Sequence, residues 1–255
     1  MIIRKSEAEI ETMARAGRVV AETLALLEER IQPGVTTSEL DRVAEEFIRS
    51  HGGEPTFKGY KGYPAATCLS PNDMVVHGIP GASRLAEGDI LSVDVGVTLD
   101  GFVADSAWTF AVGSIAPEAQ RLLDTCRAAL EAGIEQARVG NSIGDISQAV
   151  QTVTEGAGFS VIRSLVGHGV GRSMHEDPQV PNFVSSLRGP ELKPGMTIAI
   201  EPMITAGSAD VYIHDDDWSI STTDSSLAAH FEHTVAVTDA GPRILTAATG
   251  VKELV

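Results

Sequence analysis

Apolar residues in the first fifty positions recur at the three- and four-residue intervals of an amphipathic helix, in two segments. The first segment follows a capping box formed by Ser6 and Glu9, and its apolar positions run to a stop at Pro33-Gly34. The second follows another capping box that begins at Thr36, and it stops at Gly52-Gly53. The pattern therefore predicts two consecutive amphipathic helices.

The same order of elements returns later in the chain at a nearly constant offset. A helix is predicted from Pro117 and another after the capping pair Ser142 and Asp145, at an offset of 106 from the first pair of helices. The apolar strand segments 87–94 and 194–201 each contain a turn glycine and an acid six residues after it. Caps and glycines are common, so chance could explain any one match, but the ordered set favours a duplication.

Length and composition agree with one globular domain built from two such units. The chain has 255 residues, of which 43% are hydrophobic and 21% charged, which excludes a disordered or collagen-like protein. We predict a single domain over residues 1–255, with α+β halves at about 1–115 and 116–255 that face each other across one mixed or antiparallel sheet.

Charge and cysteine content narrow the class further. A net charge of −16 argues against a nucleic-acid partner, because such proteins carry basic patches that neutralise phosphates. No apolar stretch approaches the ~18 residues of a membrane span. The two cysteines, Cys68 and Cys126, form neither a disulfide framework nor a zinc motif. We expect a cytoplasmic protein with reduced cysteines and no membrane association.

Two acids lie on the two strands of a predicted hairpin. Asp94 lies in an apolar run that ends at the turn signal Asp100-Gly101, and Asp105 lies on the returning run. A two-residue loop places the acids diagonally across the hairpin and a four-residue loop places them directly opposite, so both bring the carboxylates to one face. A three-residue loop would place them on opposite faces.

Glu201 and Glu232 lie in two further apolar strand segments. A single acid in such a segment is best interpreted as a residue at a strand end that faces solvent. Four acids on inner strands of a duplicated fold favour a metal site instead. Neighbouring carboxylates on apolar strands repel each other and need shared protons or a cation. Four such residues with one or two imidazoles suit a pair of divalent first-row ions, which activate water and polarise a carbonyl in hydrolases.

Three histidines are candidates to complete such a site. His168 and His175 lie seven residues apart in a glycine-rich segment, and His77 follows a β run and precedes a tight turn. His214, beside three aspartates, is interpreted as a surface residue. From the residues alone, any of the first three could be a metal ligand.

Together these segments resemble the type I methionine aminopeptidases over essentially the whole chain. The motifs that carry the resemblance are Val76-His77-Gly78-Ile79-Pro80, Val93-Asp94-Val95-Gly96, Asp105, Gly167-His168-Gly169-Val170-Gly171, His175-Glu176-Asp177-Pro178, Ile200-Glu201-Pro202-Met203 and Phe231-Glu232-His233-Thr234. The resemblance implies the pita-bread fold of the creatinase and aminopeptidase class, an α+β catalytic domain with two pseudo-symmetric halves around a curved, mainly antiparallel sheet.

The resemblance also implies a ligand set for two divalent metal ions, which could be cobalt, manganese, iron or zinc. Asp94 would chelate one ion, Asp105 and Glu232 would bridge both, and His168 with Glu201 would complete the second. A hydroxide that bridges the ions would then attack the first peptide bond of the substrate.

Roles for the remaining site residues follow from the same resemblance. Glu201 would shuttle a proton, while His77 and His175 would hydrogen-bond the substrate or the tetrahedral intermediate. The implied methionine pocket consists of Tyr60, Tyr63, Cys68 and Trp218, with Met174 among its neighbours. Without the resemblance, Cys68 reads as a small buried hydrophobe, and the two tyrosines read as residues that fix a glycine-rich loop.

Three positions depart from the pattern of the family. Phe57 stands where some relatives have a second pocket cysteine, Met174 replaces an aromatic residue, and Ser106 follows Asp105 where threonine is frequent. None of the three is an expected metal ligand. They bear on the width of the pocket and leave the expected chemistry unchanged.

Two other functions have to be weighed. Prolidases and Xaa-Pro aminopeptidases share the fold and the ligand pattern, but they usually carry an additional N-terminal domain, whereas here the pattern begins within the first hundred residues. Non-catalytic pita-bread proteins typically lack several ligands, and all five are present here. We therefore expect a monomeric enzyme that removes methionine from the N-termini of nascent polypeptides, which it would meet at the ribosome, with a preference for a small second residue.

Overall fold

Both predicted helix pairs are present in the computed structural model, which describes residues 1–247; residues 248–255, at the end of the predicted second half, lie outside the described part. The helices are α1 (Glu7–Glu28), α2 (Thr37–Ser50), α3 (Pro117–Glu135) and α4 (Ile143–Gly156). The predicted capping boxes are confirmed at the start of three of them: Ser6 with Glu9, Thr36 with Glu39, and Ser142 with Asp145. Within residues 1–247, no helix combines the length and the apolar character that a membrane span requires.

The strands are short apart from one long hairpin. Within the described residues they are β1 (Glu54–Pro55), β2 (Thr67–Pro71), β3 (Met74–Val76), β4 (Ile90–Leu99), β5 (Phe102–Ala111), β6 (Ser160–Val161), β7 (Gly167–Gly169), β8 (Glu176–Val180), β9 (Thr197–Ile200), β10 (Met203–Thr205), β11 (Val211–Ile213), β12 (Ile220–Thr222), β13 (Ala228–His230), β14 (His233–Thr238) and β15 (Gly241–Ile244).

Antiparallel pairing joins these strands into four groups. In the first half β4 lies between β1 and β2 and also pairs with β5, and in the second half the order is β15-β14-β9-β7-β8. Two smaller sheets have the orders β13-β10-β6 and β11-β12-β3. Each pairing between these strands is antiparallel, which is one of the two alternatives, mixed or antiparallel, that the sequence pattern leaves open.

The two halves repeat their contacts as well as their elements. Helix α1 ends at Glu28, earlier than the predicted stop, and the chain then turns so that the Gly34 N–H donates to the carbonyl of Leu85 at 2.7 Å. In the second half the Gly140 N–H donates in the same way to Leu192, at 3.2 Å. Both glycines have φ near +90°, a conformation that disfavours other residues. The repeated geometry explains the constant sequence offset.

The halves meet where β5 of the first contacts β14 of the second. The Glu232 N–H donates to the carbonyl of Ala107 at 2.8 Å, and the Asp105 N–H donates to Oγ1 of Thr234 at 3.0 Å. Trp108 packs against the hydrophobic clusters of both halves. This junction brings acids from distant parts of the sequence together.

Candidate metal centre and adjoining pocket

A single cavity of about 240 Å³ collects the side chains that the sequence singles out. Its lining includes all eleven predicted site residues: Tyr60, Tyr63, Cys68, His77, Asp94, Asp105, His168, His175, Glu201, Trp218 and Glu232. Met174 and Phe57 line it too. His214 is not part of the lining, and its Nε2 instead lies 2.8 Å from Oγ of Ser221.

The hairpin of β4 and β5 fixes two of the acids. Leu99 pairs with Phe102, so the loop has two residues, and Asp100 and Gly101 have φ of +50° and +76° as a tight hairpin turn requires. In this register Asp94 is opposite Ala107 and Asp105 is opposite Gly96. The two carboxylates are therefore diagonal neighbours on one face, which is the two-residue alternative that the sequence left open.

The other two acids lie at the point where β9 ends and β14 begins. Ile200 pairs with His233, so Glu201 and Glu232 are opposite each other one step beyond that pair. The bond from the Glu232 backbone to Ala107 attaches this end of the ladder to β5. All four acids consequently converge, two from β4 and β5 and two from the adjoining ends of β9 and β14.

His168 on β7 faces this group of acids. Its Nε2 lies 3.6 Å from Oδ2 of Asp105 and 3.5 Å from Oε1 of Glu201. One ligand atom each from Asp105, His168 and Glu232 lies within 4.8 Å of the others. Nδ1 of His168 lies 2.9 Å from the Gly169 carbonyl, so Nδ1 carries the proton and Nε2 presents a lone pair.

The acids are held close together with few hydrogen bonds. Burial, reinforced by the neighbouring carboxylates, raises the pKa of Asp94, Glu201 and Glu232 well above their ordinary values. Burial raises the pKa of Asp105 to about 6, against the opposing hydrogen bond from Thr234. Within residues 1–247, Oδ1 of Asp94 and Oε1 of Glu232 are buried without a hydrogen-bond partner. Unpartnered carboxylate oxygens beside an imidazole lone pair fit divalent cations.

Two further histidines lie at the cavity without joining the acids. His77 follows β3 in a left-handed conformation with φ of +59°, and burial lowers its pKa to about 4. His175 lies at the cavity mouth, where Nδ1 is 2.9 Å from the hydroxyl of Tyr60. Partial burial lowers the pKa of His175 too, with a smaller effect from His168. Both imidazoles are consequently neutral at pH 7.

Aromatic residues form the apolar part of the cavity. The rings of Tyr63 and Trp218 pack edge to face with centroids 5.1 Å apart, and the Tyr63 hydroxyl donates to the carbonyls of Thr67 and Gly78. Cys68 is opposite Asp94 in the pairing of β2 with β4, and burial raises the pKa of its thiol. An apolar slot therefore opens directly beside the carboxylates.

One more histidine lines this cavity, and the sequence pattern does not single it out. His230, on β13, is only 2% exposed, and its Nε2 lies 3.7 Å from Oε2 of Glu201. Burial, with a smaller effect from a charge on His77, lowers the pKa of His230 to about 3. The signal in the sequence is its position immediately before the Phe231-Glu232-His233-Thr234 motif, two residues from Glu232.

A buried ion pair that the sequence pattern does not indicate supports the turn carrying His175. Nζ of Lys5 lies 2.6 Å from Oε2 of Glu176, and both side chains are less than a tenth exposed. Oε1 of Glu176 accepts hydrogen bonds from the backbone N–H groups of Arg172 and Ser173. The carboxylate thus closes the turn that presents the neighbouring histidine.

Replacing Lys5 by methionine is expected to lower the free energy of unfolding by about 3 kcal/mol, because Glu176 is then a buried charge without its partner. Urea denaturation measures the change. Arg4→Met is the matched control: Arg4 is the adjacent cation but is exposed, and the expected change is less than about 0.5 kcal/mol. Equal destabilisation by both variants would contradict the special role of the buried pair.

The chain matches known proteins along almost its full length. The model of metallopeptidase family M24 matches residues 11–239. A methionine aminopeptidase of Clostridium perfringens is 52% identical over 246 residues, which are 96% of this chain and 99% of that protein. Methionine aminopeptidase 1 of Bacillus subtilis is 48% identical, with the same coverage.

Solved structures are also similar to the fold of this chain. A crystal structure of methionine aminopeptidase from Rickettsia prowazekii superposes with a TM-score of 0.95 and 40% identity, covering 96% of this chain and all of that one. A prolidase from Pyrococcus furiosus superposes with a TM-score of 0.78 and 23% identity, and the match covers 66% of the prolidase. The prolidase shares the fold.

Proposed function

This chain belongs to metallopeptidase family M24, and on that premise we propose that it is a metal-dependent methionine aminopeptidase. The observation that carries the proposal is the convergence of four acids and His168 at one end of a cavity whose remaining wall is apolar and aromatic. The proposed hydrolytic centre is thus adjacent to a side-chain pocket. An enzyme that is specific for one N-terminal residue requires this arrangement.

The proposed metal ligands are Asp94, Asp105, His168, Glu201 and Glu232, and their number and oxygen-rich chemistry suit two divalent ions. The unpartnered carboxylate oxygens and the free Nε2 of His168 support this assignment. Divalent ions held there would supply Lewis-acid activation of water and of the peptide carbonyl. Cobalt, manganese, iron and zinc all fit this donor set, and availability would select among them.

Glu201 is proposed as the proton carrier. Burial and neighbouring carboxylates raise its pKa above the ordinary value for a glutamate, which makes the carboxylate a stronger proton acceptor. It would take a proton from the attacking water and deliver it to the leaving amine. The backbone at this position is fixed because Nδ2 of Asn182 donates to the Glu201 backbone carbonyl at 2.8 Å.

His175 and His77 are proposed to bind the reacting part of the substrate. When the Tyr60 hydroxyl donates to Nδ1 of His175, the proton of the neutral ring is on Nε2 and can be donated to the substrate carbonyl oxygen. Such a donor becomes more valuable as negative charge develops on that oxygen. His77 lies across the cavity, with its ring 6.3 Å from the Trp218 ring.

The pocket residues Tyr60, Tyr63, Cys68 and Trp218 are proposed to hold the methionine side chain, with Met174 and Phe57 as further walls. An unbranched thioether makes favourable contacts with aromatic rings. On family likeness we also propose a small second residue in the substrate and a monomer that acts in the cytoplasm on nascent chains at the ribosome.

The function is tested with two peptides and one chelator. We expect the metal-loaded enzyme to release methionine from Met-Ala-Ser and to leave a Gly-Pro dipeptide intact. Exhaustive chelation should abolish the release, and added Mn²⁺ or Co²⁺ should restore it. Cleavage of the Gly-Pro peptide alone would instead identify a prolidase, and methionine release that survives metal removal would overturn the proposed chemistry.

Replacing His175 by alanine is expected to lower kcat by about 10²-fold, because a donor to the developing oxyanion is lost. Metal content should be unchanged, since His175 is not among the proposed ligands. Steady-state kinetics with Met-Ala-Ser and metal analysis of the purified variant measure the two effects. His51→Ala, which changes an exposed histidine at the end of α2, is the control. Loss of one metal equivalent in the His175 variant would show that the ring is a ligand.

A further inference from the structure

His230 has a fixed backbone, and its imidazole has no hydrogen-bond partner in the described part of the chain. Oγ1 of Thr109 on β5 accepts from the His230 N–H and donates to its carbonyl, both at 2.9 Å. Among residues 1–247, neither Nδ1 nor Nε2 of His230 finds a partner, although the side chain is almost completely buried and lines the cavity. A buried polar group without a hydrogen-bond partner lowers the free energy of unfolding by about 1–3 kcal/mol. The presence of the His230 imidazole in the cavity despite this cost indicates a functional role.

Glu201 lies between this ring and His168. Oε1 of Glu201 is 3.5 Å from Nε2 of His168, and Oε2 is 3.7 Å from Nε2 of His230. The two imidazoles thus face different oxygens of one carboxylate. His168 belongs to the proposed ligand set, which leaves His230 as the group that can hold the other oxygen.

We propose that His230 is a positioning residue for Glu201: its Nε2–H donates to Oε2 and keeps Oε1 turned toward His168 and the metal site. The inference rests on the proposed function, in which Glu201 is both a metal ligand and the proton carrier. A closure of less than about 1 Å brings the two atoms to hydrogen-bond distance, and catalytic hydrogen bonds often tighten in this way when the site is filled. Removal of a hydrogen-bond partner that orients a ligating side chain typically lowers metal affinity or activity by about 10–100-fold.

The test compares His230→Leu, which removes the donor, with His230→Gln, which retains one. We expect His230→Leu to weaken Mn²⁺ binding by about tenfold or more and to lower kcat with little change in KM. His230→Gln should recover most of both losses. Calorimetric titration with Mn²⁺ alone measures the first quantity, and kinetics with Met-Ala-Ser measure the second.

His233→Leu is the matched control for a purely structural effect. His233 directly follows Glu232, whereas His230 lies two residues before it. Nδ1 of His233 lies 2.8 Å from Oγ1 of Thr246, and His233 is not part of the cavity lining. We expect this variant to bind Mn²⁺ as the unmodified protein does. Equal loss in both leucine variants, or normal Mn²⁺ affinity in His230→Leu, would overturn the proposal.

Two precautions keep the outcome decisive. If His230→Leu does not fold, His230→Asn takes its place, because its shorter amide does not reach Glu201 and the same weakening is expected. If the unmodified chain releases no methionine with any metal, the proposed function fails, whereas the Mn²⁺ titrations still decide whether His230 positions Glu201.

Discussion

Glu201→Gln is expected to reduce kcat for methionine release by about 10³-fold or more, with the chain still folded. The amide cannot carry the proton that the reaction moves from water to the leaving amine. It also replaces a proposed carboxylate ligand by a neutral amide at the position where Oε1 of Glu201 lies 3.5 Å from Nε2 of His168. Steady-state kinetics with Met-Ala-Ser measure the loss, and circular dichroism verifies the fold.

Glu118→Gln is a suitable control for this substitution. Glu118 is an exposed carboxylate in the first turn of α3, outside the cavity lining, so its change to an amide should leave kcat unaltered. Turnover by Glu201→Gln within a fewfold of the unmodified enzyme would show that another group carries the proton.

Local sequence signals predicted the framework of the fold because each depends on a few adjacent residues. The capping boxes require only a cap residue and an acid three positions later, and all three that were predicted are present. The sequence leaves open whether the loop between β4 and β5 has two, three or four residues. The structure gives two, because Asp100 and Gly101 both adopt positive φ.

The composition of the site depends on contacts that no local pattern encodes. From the residues alone three histidines are equal candidates for metal ligation, and only the resemblance selects His168. The fold places Nε2 of His168 near Asp105 and Glu201, with Nδ1 at the Gly169 carbonyl. His230 does not stand out in the sequence because Glu201, the carboxylate that its ring faces, follows another strand.

The structural roles of some residues remote from the cavity could not be predicted from the sequence either. Lys5 precedes the first helix and resembles an ordinary surface lysine, yet its ammonium group is buried against Glu176. The pairing joins residues 171 positions apart in the chain. A resemblance to a family identifies residues at motif positions, but it does not identify a residue whose importance arises from such a distant contact.

The metal-free protein is expected to lose stability as the pH rises from 7 to 8. A carboxyl group whose pKa is raised on folding contributes stability that is present below its unfolded pKa and is lost as the pH approaches the folded pKa. Asp94, Glu201 and Glu232 are such groups. The buried histidines have lowered pKa values, so above pH 7 they are largely neutral in both states and do not offset this loss.

The loss amounts to at most about 4 kcal/mol over that pH unit, if all three groups remain protonated in the folded chain. Denaturation of chelator-treated protein at both pH values measures it. Asp94→Asn removes one of the three carboxyl groups that must stay protonated in the folded metal-free chain. The metal-free variant should therefore be more stable at pH 8 and less sensitive to pH, and Mn²⁺ should stabilise it less than the unmodified chain. Because a bound cation replaces protons as the compensating charge, saturating Mn²⁺ should abolish the pH dependence of the unmodified protein. A metal-free protein equally stable at both pH values would mean that these carboxylates already ionise in the folded chain.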